Sequence, residues 1–309
     1  MKVRIGLGGA SAMAREGRDT FFEYLDAAEN NGWDSVWFSD RIAEPAWVID
    51  PIVGMAMGVA RTKRLQFGTS VLIMSMRSPV TTARALAAID AMAGGRLVAG
   101  VGVGREADME YDAMGVQKAD RGRRLNEAIR VMRLLWTQDT VDYDGQFLKL
   151  KGASIMPKPV RNPLPIWIGG RSEAALRRTG HLGDGWLPVQ LTPEEAAKDI
   201  ARIKEYAAEA GRTIDDDHFG VQLGSYVVEH GPVDMDKIGQ RLFRRRQDVS
   251  IEQLNLLGTA DQVLARMREY IDAGISKFVF NPACGPEEVL AQMEIQAELV
   301  VKAHHPVRT

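Results

Sequence analysis

Cysteine is almost absent from this chain: one residue, Cys284, stands among 309. An internal disulfide is therefore excluded, no Cys/His spacing makes a zinc site, and the chain suits a reducing compartment such as the cytoplasm. Surplus charge is lacking as well, with 39 lysines and arginines against 41 aspartates and glutamates. The overall field gives no reason to expect nucleic acid or an anionic membrane as a partner, so any charge-based function must be local. Long apolar runs are missing too, since Pro51 to Ala60 falls well short of the roughly 20 residues that span a bilayer. Ile5 to Ala14, behind Lys2 and Arg4, has the small residues of a secretory signal. Its large apolar residues are only Ile5, Leu7 and Met13, too few for the core of such a signal. What remains, 45% hydrophobic and 26% charged residues, is the composition of a chain that buries a large core.

Short β-prone runs alternate along the chain with longer helical patterns, the order of parallel strands joined by crossover helices. The strands read as Val3–Gly8, Ser35–Ser39, Leu65–Leu72, Leu97–Val103, Pro165–Gly169, Gly185–Val189, Phe219–Val228 and Phe278–Asn281. Helices are expected at Arg18–Asn30, Trp47–Arg61, Thr81–Met92, Arg121–Trp136, Ser172–Leu182, Pro193–Ala210, Ala260–Ala273 and Glu287–Ala303. Eight such pairs in about 300 residues predict one (β/α)8 (TIM) barrel domain over 1–309. Two segments break the alternation. Val141–Leu150, with Asp144-Gly145 between two β-prone runs, reads as a hairpin inserted before the fifth strand. Glu229–Gly258 reads as a charged, helix-prone insertion after the seventh, the kind of segment that forms a lid or binding loop.

In a (β/α)8 barrel the site lies at the C-terminal strand ends, which confines the search. The fifth strand runs into Gly169-Gly170-Arg171-Ser172. Two glycines permit close approach to the backbone, the helix start favours an anion, and Arg171 can add a guanidinium. The same residues also make an ordinary tight turn with Ser172 as N-cap. Gly100-Val101-Gly102-Val103-Gly104 has G-x-G-x-G spacing with no helix directly after it, so a dinucleotide-binding reading is rejected. Glycines there make room for a flat ligand or for crowded side chains. Asp40 and Arg41 end the second strand, as a carboxylate and cation for a ring edge or substrate, or as a structural ion pair at the rim. Arg244-Arg245-Arg246, in the insertion, can clamp phosphates or carboxylates, or simply form a solvated face. No histidine belongs to a nucleophilic triad and no metal motif is visible. Chemistry without a nucleophile or metal falls to a bound organic cofactor.

The chain resembles the luciferase-like monooxygenase superfamily, in particular its oxidoreductases that use the deazaflavin coenzyme F420. The resemblance runs nearly end to end. Its most specific stretch is Pro157-Lys158-Pro159, then Leu164 to Ser172 and Gly183-Asp184-Gly185-Trp186. Val36 to Asp40, Gly94 to Leu97, Arg121 to Leu125 and Gly258-Thr259 add to it. The resemblance implies a flavin or deazaflavin ring over the strand ends and a homodimer. It puts Ser70-Val71 in a bulge behind the ring with a cis peptide between them, and Asp40 beside the ring. The expected cofactor set is Asp40, Ser70, Val71, Gly102, Gly169, Gly170, Arg171, Ser172 and Arg245. One departure matters: alcohol and sugar-phosphate dehydrogenases of this group place a catalytic histidine after that aspartate, and here the residue is Arg41. An arginine stays protonated and cannot remove an alcohol proton. The reading is therefore an F420-dependent reductase of a small organic substrate. Asp40, Arg41 and Glu106 would be its catalytic residues, with Asp108 a second candidate proton donor and no metal. The alternatives are a monooxygenase using FMN and oxygen, and a catalytically idle flavin-binding protein.

Overall fold

A computed structural model describes residues 2–105, 108–242 and 246–304. Its strands are β1 (Arg4–Leu7), β2 (Ser35–Phe38), β3 (Gln66–Thr69), β4 (Leu72–Ile73), β5 (Leu97–Gly102), β6 (Val141–Asp144), β7 (Lys149–Ala153), β8 (Ile166–Ile168), β9 (Gly185–Trp186), β10 (Gly220–Val228), β11 (Leu256–Thr259) and β12 (Lys277–Pro282). Parallel pairing runs β10-β12-β1-β2-β3-β5-β8-β9. Two isolated bridges, Trp186 with Phe219 and Val189 with Gln222, bring β9 back to β10. Eight strands thus close the expected (β/α)8 barrel. β5 is buried at every position, as a parallel strand covered on both faces must be. Trp37, Val98, Trp167, Leu187 and Val279 form a separate apolar cluster contributed by five different barrel strands or their ends.

The helices between strands present one apolar stripe inward. In the helix Arg121–Thr137, Leu125, Ile129, Met132 and Trp136 are buried, and the Trp136 indole donates to the Ala83 carbonyl at 3.0 Å. The expected helix from Trp47 instead begins at Pro51. Asp50 caps it by accepting from the Ile52 N–H at 2.9 Å, and proline suits a first turn where no N–H is needed. A helix that sequence periodicity does not reveal, Ala10–Arg15, follows Gly9, whose φ of 83° suits glycine.

The two irregular segments differ in outcome. β6 and β7 pair antiparallel, Val141 opposite Ala153 and Asp144 opposite Lys149, so the hairpin extends three residues beyond the expected Leu150. Segment 229–258 has, among the described residues, only short helical turns at Met235–Ile238, Gly239–Arg241 and Glu252–Leu254. It then enters β11, which pairs parallel with β10 from Ser225–Leu256 to Val228–Thr259. The charge of the segment masks this four-residue strand, which the sheet edge stabilises by pairing. Among the described residues, no helix is long and apolar enough to cross a membrane.

Candidate active site

The strand ends converge on a rim built around Asp40. Its side chain is fully buried, and Oδ2 accepts from the Ile73 N–H at 2.9 Å and from Arg77 Nε at 2.8 Å. Arg77 Nη2 donates to Asp40 Oδ1 at 2.7 Å and to Asp50 Oδ2 at 2.8 Å. One guanidinium therefore ties the end of β2, the loop beyond β4 and the cap of the helix Pro51–Arg61. Burial opposes the charge of Arg77, but its bonds to the two aspartates outweigh that and raise its pKa. Asp40 is thus ion-paired, and its partner is Arg77, 37 residues away, in place of the adjacent Arg41.

Arg41 folds back on its own turn. Its Nη1 donates to the Asp40 carbonyl at 2.6 Å and its Nε pairs with Glu44 Oε2 at 3.0 Å. Arg105, just beyond β5, reaches the same Glu44 oxygen at 3.6 Å. Burial and Arg105 pull the Arg41 pKa down, against the upward pull of Glu44, Glu110 and Asp40. Arginine starts so high that the group remains a cation. Glu110, completely buried in the helix Asp108–Ala113, accepts through Oε1 from the N–H groups of Ile42 at 2.7 Å and Ala43 at 3.2 Å.

The peptide between Ser70 and Val71 is cis. The Val71 side chain lies across β5 and β8. A Cβ at Gly102 would fall 2.5 Å from its Cγ2, and one at Gly169 2.7 Å from its Cγ1. These glycines thus accommodate a crowding side chain, one of the two uses foreseen for the glycine run. Beyond β8, Gly169 N–H bonds the Val101 carbonyl at 2.9 Å, Gly170 takes φ 98°, and Ser172 Oγ caps the helix Glu173–Leu182 from Ala175 N–H at 3.3 Å. Arg171 extends away over the helix Pro193–Glu209. It bonds the Gln190 carbonyl at 2.9 Å, Glu195 at 3.1 Å and Asp199 at 3.3 Å. Arg246 meets the same Glu195 at 2.6 Å. Arg171 and Arg246, two cations offered for an anionic group, thus share the acidic side chain of Glu195. Glu106, Arg244 and Arg245 lie outside the described residues, and so does the side chain of Asp108.

Residue reading missed Arg77, Glu110, Glu44 and Arg105. Arg105 closely follows the fourth expected strand, whereas Glu44, Arg77 and Glu110 stand a few residues past the strand ends and reach the rim only through the fold. Among the described residues, one group of side chains with metal-ligand chemistry, Asp215, Asp217 and His218, gathers near the start of β10, away from this rim. His218 Nδ1 is bonded to the Asp184 carbonyl and Asp217 to Arg4, so both serve the local structure.

A family model described as luciferase-like monooxygenase matches residues 4–231. An F420-dependent glucose-6-phosphate dehydrogenase of Mycobacterium avium is 30% identical over 298 residues, covering 84% of this chain and 86% of its own. Among solved structures, an F420-dependent secondary alcohol dehydrogenase with an F420-acetone adduct superposes at TM-score 0.83 with 24% identity, covering 97% of this chain and 99% of the other. The oxygenating constituent of 3,6-diketocamphane monooxygenase from Pseudomonas putida, in complex with FMN, does so at 0.80 with 17% identity, covering 97% and 98%. A match over most of the chain, on a barrel whose strand ends carry the motifs described, makes this protein a member of the luciferase-like monooxygenase family.

Proposed function

We propose that this chain is an F420-dependent oxidoreductase acting as a reductase, delivering hydride to a small electron-poor substrate. Arg41 carries the reading. It stands next to Asp40, half-buried and held by Glu44 and the Asp40 carbonyl, where a permanent cation can stabilise negative charge on a substrate but cannot take a proton from an alcohol. The residues fit a flat cofactor in a specific respect: Gly102 and Gly169 seat the Val71 side chain between them as an apolar backing at the strand ends. When bound, a deazaflavin supplies hydride and, having carbon where a flavin has N5, activates oxygen poorly. Asp40 and Arg77 hold the loop beyond β4 rigid behind that position. Gly169, Gly170 and the capped start of the helix Glu173–Leu182 offer a backbone seat for the phosphate, with Ser70 beside the bulge. Arg171, Ser172 and Arg245 belong to the same proposed seat. Glu106 remains the proposed proton donor. A homodimer in the cytoplasm completes the reading, and Cys284, buried and free, suits that compartment.

The test is a titration of the apoprotein with F420 and FMN at matched salt. Tighter binding of F420, with hydride transfer from its reduced form, is the expected result. Tight FMN binding, no measurable F420 affinity and oxygen uptake with reduced FMN would give the protein to the monooxygenases instead.

A further inference from the structure

Among the described residues, Glu110 is the completely buried carboxylate beside the rim whose bonding is half complete. Oε1 accepts from the Ile42 and Ala43 N–H groups, while Oε2 is buried with no hydrogen-bond partner among the described residues. A buried carboxylate oxygen without a donor is unfavourable and calls for a reason. Folding does not require it, because a glutamine in its place could keep the same two backbone bonds with its amide oxygen. On the packed side Ile42, Ile73, Met76, Tyr111 and Val116 form an apolar cluster. On the rim side stand Arg41, Arg105 and Glu44, with both guanidiniums directed at a single Glu44 oxygen.

We infer that Glu110 is a positioning residue for Arg41, pinning the backbone directly after it with one oxygen and holding a dry counter-charge beside its guanidinium with the other. Two cations that share one carboxylate repel each other, and a second fixed anion behind them keeps Arg41 in place instead of letting it swing into solvent. The upward pull of Glu110 on the Arg41 pKa agrees with this arrangement. The inference rests on the reading of Arg41 given above.

Two measurements separate the inference from that reading. The first needs no cofactor: the Arg41 Nε–Hε resonance of the apoprotein, assigned by its loss in Arg41→Lys, is followed by 1H–15N correlation. In Glu110→Gln it should shift, and its exchange with water should quicken by roughly tenfold or more, while the melting temperature stays close to that of the parent. The second is a double-mutant cycle on hydride transfer from reduced F420 to 2-cyclohexen-1-one. Glu110→Gln should slow transfer on the order of tenfold with little change in KM for the reduced cofactor, and should have no further effect in an Arg41→Met background. An unchanged Arg41 resonance in Glu110→Gln overturns the inference, and so does an equal loss of rate with and without Arg41. If the resonance responds but Arg41→Met transfers hydride at the full rate, Glu110 does position Arg41 and it is the catalytic reading of Arg41 that fails.

Discussion

At the scale of single residues, Asp40 is a clasp: its fully buried carboxylate is bonded to Arg77 and to the Ile73 N–H. Removing one partner of a buried ion pair leaves the other uncompensated, so Asp40→Ala should lower stability by about 3 kcal/mol, read by urea denaturation. Arg77 keeps Asp50, which limits the loss; a variant as stable as the parent would show the clasp to be ornamental. Val71 gives a second prediction. Each of its methyls faces a different glycine, so turning the side chain away from one presses it into the other. Gly102→Ala should therefore destabilise by about 1–3 kcal/mol, and adding Val71→Ala should recover most of it in paired thermal melts. Positions such as Asp40, Arg41 and Gly169 were legible because a barrel puts its site at strand ends. Their partners were not, since Arg77 and Glu110 reach them only through the fold, and no local pattern encodes a pair 37 or 68 residues apart.

At the scale of elements, most boundaries were legible from periodicity and caps. Arg18–Asn30 falls where expected, and Thr192 and Thr259 begin their helices with capping boxes through Glu195 and Gln262. β11 and the helix Ala10–Arg15 were not, being too short to show a period. Glu195 does more than cap. It also receives Arg171 and Arg246, joining the turn after β8, the helix Pro193–Glu209 and the insertion after β10. Burial works against its charge, but Arg246, the Thr192 N–H and Arg171 prevail and hold its pKa below the usual carboxylate range. A depressed carboxylate stabilises fully above its unfolded pKa of about 4.3 and loses that contribution as pH falls through the lower folded value. Hydrogen exchange in peptides covering 246–250 should therefore be pH-independent in its protection from neutrality to about pH 5, then lose protection in the acid range. Arg246→Ala should show the unprotected pattern already at neutral pH; equal protection in both proteins would remove Glu195 from that role.

At the scale of the whole molecule, the pairing around the barrel is uneven. β1 with β12 and β10 with β12 share ladders of four and six registered pairs, whereas β1 and β2 register at a single pair, Leu7 with Val36, and β9 and β10 meet at two isolated bridges. The alternation of strands and helices predicted a closed ring but could not predict which joints are short: β9, for one, has only two residues although its sequence run looks longer. Above that seam, Arg246 reaches from beyond β10 to the Gln190 carbonyl beyond β9 at 3.4 Å, and to Glu195 on the helix that follows. Mechanically, the ring is stiff where its ladders are long and more compliant where they are short, with the Arg246 contacts acting as a spring across the β9–β10 joint. Widening of the mouth at the β9–β10 joint stretches that spring, so the ease with which a bulky molecule enters on that side follows its stiffness.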